Sequence, residues 1–297
     1  MNQKGAVQLT GEGVKVNQEI TDLITEYVRN YHDLKGTEFD WRDPVIGFAD
    51  AQDLLFPKLK ELIGPKHALP SDLVPDARSV IAFFLPLSKE VVKSNTHGEE
   101  SSREWDISSI ETNNLIDDLN KYLFEKLSQK GYVSSLLPAT YNYDGEKLIS
   151  DWSHRHVAYI AGIGKFGIHN MFITRSGCCG RLGSVVTNLA LLPTPRTEDE
   201  YCLYKYNGTC KKCVERCVNN AFQIGTDQLF CDRTRCNQQI YDKLVPVYPI
   251  GIGDTCGKCM CGVPCSLVSP TEKLIRPADN PPENRPGGHR QFLIPRF

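Results

Sequence analysis

Hydrophobic positions recur with helical spacing near the start of the chain and as dense apolar runs soon after. In residues 19–31, Ile20, Leu23, Ile24, Tyr27 and Val28 fall at i, i+3 and i+4 intervals, which predicts an amphipathic helix. Residues 44–49 (PVIGFA) form a short apolar run, and 78–86 (RSVIAFFLP) a longer one set between Pro75 and Pro86. Both predict buried strands. The polar stretch 95–106 predicts a loop. Leu115, Ile116, Leu119, Tyr122, Leu123 and Leu127 then share one face of a second helix, with Thr112 or Asn113 as its cap and Gly131 as its stop. Residues 132–137 predict a strand, 155–161 a helix, and 170–174 and 184–192 strands flanking a turn at 176–181. This order of elements predicts an α+β layer and not a helical bundle.

After residue 192 the apolar periodicity stops. Pro193-Thr194-Pro195 marks a break, which divides the chain into an α+β domain over 1–195 and a second domain over 196–297. The proline-rich stretch after Arg276 predicts an extended tail. No repeat of 20 residues or more is visible.

Composition narrows the class. The chain has 297 residues, 40% hydrophobic and 24% charged, the balance of a globular protein with a real core. It holds no run of 18 apolar residues, so no membrane association is expected. The first 20 residues lack the apolar stretch of a signal peptide, which predicts a cytoplasmic protein. A net charge of −2 argues against a strongly basic nucleic-acid binder.

The cysteines carry the strongest chemical signal. Of 12 cysteines, all but Cys178 and Cys179 lie between Cys202 and Cys265. In a reducing compartment such crowding points to metal binding and away from disulfides. Cys210, Cys213 and Cys217 make C-x2-C-x3-C, which matches the last three cysteines of the bacterial ferredoxin run C-x2-C-x2-C-x3-C-P. The position of the first cysteine is Asn207 and that of the proline is Val218; Cys202 lies five residues earlier and can loop in. Cys256, Cys259, Cys261 and Cys265 offer C-x2-C, C-x-C and C-x3-C. Two [4Fe-4S] clusters need eight thiolates, and ten are present in this segment. Structural zinc is the simpler alternative, although zinc takes four ligands per site.

Cys178-Cys179 lies apart between two glycines and reads as a pair of small residues in a tight turn, or as a redox or ligand pair beside a cofactor. His154 and His156, two apart on a helix, point away from one another, which predicts solvated or capping roles. Gly162, Gly164 and Gly167 fit G-x-G-x-x-G, but a helical segment precedes them where a dinucleotide site needs a strand. A nicotinamide site is therefore not expected.

Residues 155–174 (RHVAYIAGIGKFGIHNMFIT) and 180–187 (GRLGSVVT) resemble the cofactor-binding core of epoxyqueuosine reductases and of the corrinoid reductive dehalogenases. Both groups follow that core with a two-cluster ferredoxin segment. Arg235-Cys236 resembles an arginine–cysteine step that supplies a cluster ligand in epoxyqueuosine reductases, and 77–81 resembles their early strand. The likeness covers roughly residues 40–270.

The resemblance implies a nitroreductase-like α+β domain holding base-off cobalamin, followed by a ferredoxin-like domain whose two [4Fe-4S] clusters feed it electrons. Gly162, Gly164, Gly167, Asn170, Gly180, Arg181 and Gly183 would then approach the corrinoid. One cluster would take Cys210, Cys213 and Cys265, with Cys202 standing in for the missing ligand. The other would take Cys217, Cys236 and two of Cys256, Cys259 and Cys261, leaving Cys231 spare. The aspartate proposed as proton donor in epoxyqueuosine reductases aligns with Leu148, and the nearest acid is Asp151; Tyr141 and Tyr143 are alternatives of the dehalogenase kind. The implied activity is an oxidoreductase that removes oxygen or another leaving group from a small or nucleoside-like substrate. It would be supplied by an external low-potential donor such as ferredoxin or flavodoxin. The helical-repeat tail of many epoxyqueuosine reductases is absent, which disfavours tRNA. A cytoplasmic dehalogenase and a non-catalytic electron-transfer or corrinoid-handling protein are the other readings.

Overall fold

The computed structural model describes residues 11–224, 229–243 and 245–275. In chain order its larger part comprises α1 (Gly11–Lys35), β1 (Val45–Asp50), α2 (Leu55–Leu62), α3 (Pro70–Leu73), β2 (Ser79–Pro86), α4 (Lys89–Ser94), α5 (Arg103–Gln129), β3 (Tyr141–Asp144), β4 (Ile149–Trp152), α6 (His154–Ile160), β5 (Gly164–Phe166), β6 (Phe172–Thr174) and β7 (Gly180–Thr187). The cysteine-rich part follows with α7 (Leu203–Asn207), α8 (Lys212–Glu215), β8 (Phe222–Ile224), β9 (Leu229–Cys231), α9 (Arg233–Tyr241), β10 (Val247–Tyr248), β11 (Gly251–Ile252) and α10 (Glu272–Ile275).

Every residue of β2 is buried, because β2 is the middle strand of an antiparallel sheet ordered β1-β2-β7 with helices on both faces. Side chains alternate across a strand. Ile81, Phe83 and Leu85 therefore enter one core with Ile24 and Val28 of α1 and Ile116 of α5. Val80, Ala82 and Phe84 enter a second core with Phe56 of α2 and Val157 of α6. A strand covered on both sides reads as one continuous apolar run, and this is the pattern of 79–86. The result is a mixed α/β layer built on an antiparallel sheet.

Three expectations change. Residues 103–106, assigned to a loop, begin the 27-residue α5, with Ser102 as N-cap through its bond from the Trp105 N–H. Thr112 is no cap but a buried interior residue that accepts from the Trp41 indole at 2.9 Å. The first turns of α5 hide under the cysteine-rich part: Trp105 Nε1 donates to Thr255 Oγ1 at 3.1 Å and Tyr248 Oη to Asp106 at 3.0 Å. Burial by polar contacts there removes the apolar periodicity that marks the rest of the helix. Residues 132–137 make one bridge, Ser134 to Thr187, instead of a strand. Ser134, Ser135 and Leu137 point inward, while Val133 and Leu136 are exposed, so the apolar positions do not follow the strand period. Finally, β7 starts at Gly180, inside the expected turn. Its glycines lie under aromatic rings of β2, Gly180 under Phe84 and Gly183 under Phe83, where any Cβ would collide.

The first core also contains Cys202, Cys213, Cys261, Val263 and Cys265, so buried contacts run across the break at residue 195. The tail expected after Arg276 lies outside the described residues. Among the described residues no helix is long and apolar enough to cross a membrane.

Candidate functional site

The clustered cysteines sort into groups. Cys202, Cys210, Cys213 and Cys265 line one small cavity together with Ile168 and His169. Cys202 precedes α7, Cys210 and Cys213 flank and enter α8, and Cys265 comes back from the far end of the segment. Burial pushes the Cys213 thiol up to about 12, with Cys265, Cys202 and Cys210 near enough to add repulsion. Cys202 is raised mainly by burial, while backbone N–H groups of Lys205, Ile168 and Tyr204 favour its thiolate.

Cys217, Cys236, Cys256 and Cys259 form a second group. Burial is the first cause raising Cys259, followed by repulsion from Cys236 and Cys256; Cys236 is pushed to about 12, with Cys231, Cys256 and Cys217 contributing. Cys217 Sγ accepts the Ala221 N–H at 3.2 Å. Cys231 lies near the same group: burial and Cys217 raise it to about 11, and it acts in turn on Cys236.

Burial and mutual repulsion oppose the thiolate form of Cys213, Cys236 and Cys259, and a positive centre shared by neighbouring sulfurs would offset both. Two such groups, each with backbone N–H donors aimed at sulfur, have the donor chemistry of thiolate-ligated metal clusters.

Cys261 joins neither group. Gly257 (φ 68°) and Gly262 (φ 69°) turn the backbone on either side of it, and its sulfur lies 3.9 Å from Cys179 Sγ. Asn95 Nδ2 holds it at 3.6 Å while donating to the Cys256 carbonyl at 2.9 Å. Cys178 and Cys179 are fully buried, and their N–H groups donate to the carbonyls of Cys265 (2.8 Å) and Ser266 (3.1 Å). Arg42 fixes the same region from the sheet side, donating to the carbonyls of Leu87, Ser176 and Leu267. Lys258 is 1% exposed and places its ammonium between the carbonyls of Asn95 and His97, a buried positive charge close to Cys256.

Beside the cysteines lies a half-open cleft of about 350 Å3. Its apolar walls include Phe84, Ile116, Trp152 and Phe172; its polar groups include Tyr143, Arg155 and Arg181, and Cys178 and Met260 close it on the cysteine side. Arg155 donates to the Asn170 carbonyl at 2.8 Å. Burial lowers Arg155 to about 10, opposed by Cys231 and Cys236, so it remains a cation at neutral pH. Burial lowers Arg181 as well, opposed by Asp254 and Tyr241.

The expected site residues divide accordingly. Gly180 and Arg181 line the cleft. Gly162, Gly164, Gly167 and Gly183 do not, and each is accounted for by close packing within the chain. A Cβ on Gly164 would strike the Ile173 carbonyl, one on Gly167 the His169 ring, and Gly162 ends α6 at φ 74° against Thr194 and Pro195. Asn170 sits at φ 58° and offers its carbonyl to Arg155. Of the candidate proton donors, Tyr143 lines the cleft and neither Tyr141 nor Asp151 does. Tyr141 packs into the second core, and Asp151 lies near His67. Alternation along β4 turns Asp151 to the face opposite Ser150 and Trp152, whereas Tyr141 shares a face with Tyr143 and lies two residues further along β3. His154 and His156 are buried and not solvated. His154 bonds Ser184 Oγ and the Pro138 carbonyl, and His156 bonds Ser153 Oγ. Sequence reasoning missed His169, Arg42 and Lys258; single polar residues carry no spacing signal.

No family model and no curated protein matches the chain. Solved structures do. A catabolic reductive dehalogenase in complex with a brominated hydroxybenzoic acid aligns over 91% of this chain and 34% of its own, with a TM-score of 0.58 at 13% identity. A second, described as suggesting a mechanism for B12-dependent dehalogenation, aligns over 87% of this chain and 32% of its own, with a TM-score of 0.55 at 12% identity. An epoxyqueuosine reductase from Bacillus subtilis aligns over 86% of this chain and 66% of its own at a TM-score of 0.48 and 19% identity. The chain thus spans about a third of the length of the dehalogenases it matches. These are the two groups that the sequence resembles, and with the reductive dehalogenases the chain shares a fold.

Proposed function

We propose that this chain is an iron–sulfur, corrinoid-dependent reductase. Cys202, Cys210, Cys213 and Cys265 would hold one [4Fe-4S] cluster, and Cys217, Cys236, Cys256 and Cys259 the other, with Cys231 and Cys261 outside both. What supports this reading is the crowding of buried and half-buried cysteines into two groups near one cleft, the first around a small cavity and the second around Cys236. Cys178 and Arg155 connect the cleft to the first and second group respectively.

The aromatic and aliphatic walls of the cleft offer an apolar surface to part of one face of a corrinoid, which is larger than the cleft itself, while Arg155 and Arg181 suit its polar periphery or an anionic substrate. When bound, a corrinoid supplies a strongly reducing, nucleophilic cobalt centre. The chain's own contribution is placement, water exclusion and a proton. Phe84, Ile116, Trp152 and Phe172 keep water from the inner wall, and Tyr143 is the phenol at the cleft able to protonate a leaving group or a reduced product. Burial raises the Tyr143 hydroxyl, opposed by Arg233 and assisted by Asp144 and Asp254, so it stays protonated at neutral pH.

The substrate class is a small or nucleoside-like molecule that loses oxygen or halide on reduction. A phenol at the cleft, with Asp151 outside it, favours the dehalogenase-like reading over the epoxide-opening one. The electrons would come from an external low-potential carrier such as ferredoxin or flavodoxin. Anaerobic titration with cobalamin, followed by absorbance and filtration, tests the reading. One corrinoid retained per chain is expected; no retention would remove the corrinoid and leave an electron-transfer protein. With the corrinoid bound, turnover of a halogenated phenol and not of an epoxide-bearing nucleoside selects dehalogenation.

A further inference from the structure

Cys265 is gripped from two sides by buried donors that no cluster ligation uses. His169 Nε2 lies 3.8 Å from Cys265 Sγ, and Cys178 Sγ lies 3.9 Å from the same atom. Both residues are 1% exposed. The three ligand atoms lie within 4.8 Å of one another.

The proton on His169 is located by its other nitrogen. Nδ1 faces the Met171 N–H at 3.3 Å, and an N–H can only donate, so Nδ1 must accept. The imidazole is therefore the Nε2–H tautomer, and its single ring proton points to the Cys265 sulfur. Gly167 makes this possible, since a Cβ there would occupy the space of the His169 ring. The third glycine of the G-x-G-x-x-G segment thus serves an imidazole and not a ligand.

Cys178 is fixed as firmly. Its N–H donates to the Cys265 carbonyl at 2.8 Å, and Gly177 (φ 86°) lies against the Ser266 carbonyl, where a Cβ would collide. A Cys265 thiolate bound to a cluster has no proton to give, so the thiol of Cys178 is the donor in that pair.

We infer that His169 and Cys178 are positioning residues that each donate a hydrogen bond to Cys265 Sγ and so raise the reduction potential of the cluster Cys265 holds. This rests on the cluster assignment proposed above. Reduction adds negative charge to a cluster and its thiolates, and hydrogen bonds to sulfur favour the more negative state. Cys178 also forms part of the cleft wall, so the group that adjusts this cluster is the one separating it from the cleft.

The test is an EPR-monitored redox titration of anaerobically purified holoprotein, with iron and zinc assayed on the same samples. His169→Leu and Cys178→Ala should each lower one midpoint while the other stays in place. The expected change is about tenfold in the reduction equilibrium, about 59 mV for a one-electron couple. His169→Gln and Cys178→Ser keep a donor and should recover part of the shift, which a purely structural role would not produce. Full iron content with both midpoints unmoved in both deletion variants overturns the inference. So does loss of four irons from Cys178→Ala, which would make Cys178 a ligand, or one zinc per chain that both deletions abolish. Wild-type protein lacking iron would instead sink the cluster assignment itself, and the inference with it.

Discussion

The backbone N–H of Cys178 donates to the carbonyl of Cys265 at 2.8 Å, across 87 residues of chain. This bond and its neighbour from Cys179 to Ser266 set the end of the cysteine-rich segment in register with the turn that enters β7. The sheet, the cleft and the first cysteine group are thereby one packed unit. A cluster held there would meet the cleft across a single residue.

Iron content separates the ligand assignment from its rivals. Cys213→Ser and Cys259→Ser should each lower iron from about eight to about four atoms per chain, with the EPR signal of one cluster retained. Cys231→Ser and Cys261→Ser should leave iron unchanged. A loss of iron from Cys261→Ser would return it to the ligand set in place of Cys256 or Cys259.

Arg42 is expected to be a stability residue. Its guanidinium donates to three carbonyls, those of Leu87, Ser176 and Leu267, at 2.8–3.0 Å. Arg42→Ala should cost about 3 kcal/mol, since bonds to a charged donor contribute about 1.5–3 kcal/mol each and the freed carbonyls are partly rehydrated. Arg42→Lys should recover little, because an ammonium cannot span three divergent acceptors. Urea unfolding of the three proteins under matched conditions measures this.

Much of the scaffold is readable from the chain. The unbroken apolar run of β2 announces a strand covered on both faces, and the 3.6-residue spacing of α1 and late α5 announces their buried stripes. What escapes is set by contacts distant in sequence. The start of α5 is covered by residues 248–257 through Trp105 and Asp106, so no apolar stripe marks it. Cysteine spacing shows that Cys256, Cys259 and Cys261 are all within reach of a cluster. The positive φ of Gly257 and Gly262, which carries Cys261 toward Cys179, leaves no trace in C-x2-C-x-C. The G-x-G-x-x-G segment matches a cofactor spacing while its glycines make room for Ile173, His169 and Pro195.

Proton delivery should depend on Tyr143. Tyr143→Phe should lower turnover roughly 10²- to 10⁴-fold with substrate affinity little changed. Tyr141→Phe and Asp151→Asn should stay near wild type, since neither side chain lines the cleft. Steady-state kinetics of the reconstituted enzyme with its best halogenated substrate decides between them. Full activity in Tyr143→Phe would exclude the phenol as donor.

Stability should fall on mild acidification. Burial holds the His154 imidazole at about 4, and His67 likewise at about 4, against an unfolded value of about 6.5. Both are folded-state values below the unfolded one, so between those limits the unfolded chain binds protons that the folded chain refuses. Stability contributed by neutral His154 is complete above about pH 6.5 and declines as pH falls to about 4, by on the order of 3 kcal/mol. Unfolding free energies across that range should show a shallower slope in His154→Gln. An identical slope would place the acid sensitivity elsewhere.

On the proposed reading, eight of these cysteines hold two four-iron sites. Purification without oxygen, followed by iron and acid-labile sulfide assays on the wild-type chain, tests it most directly. About eight of each per chain, with two interacting signals in the EPR spectrum after reduction, is the predicted result. One or two zinc ions per chain with no labile sulfide would contradict it and turn the same thiol groups into structural metal sites.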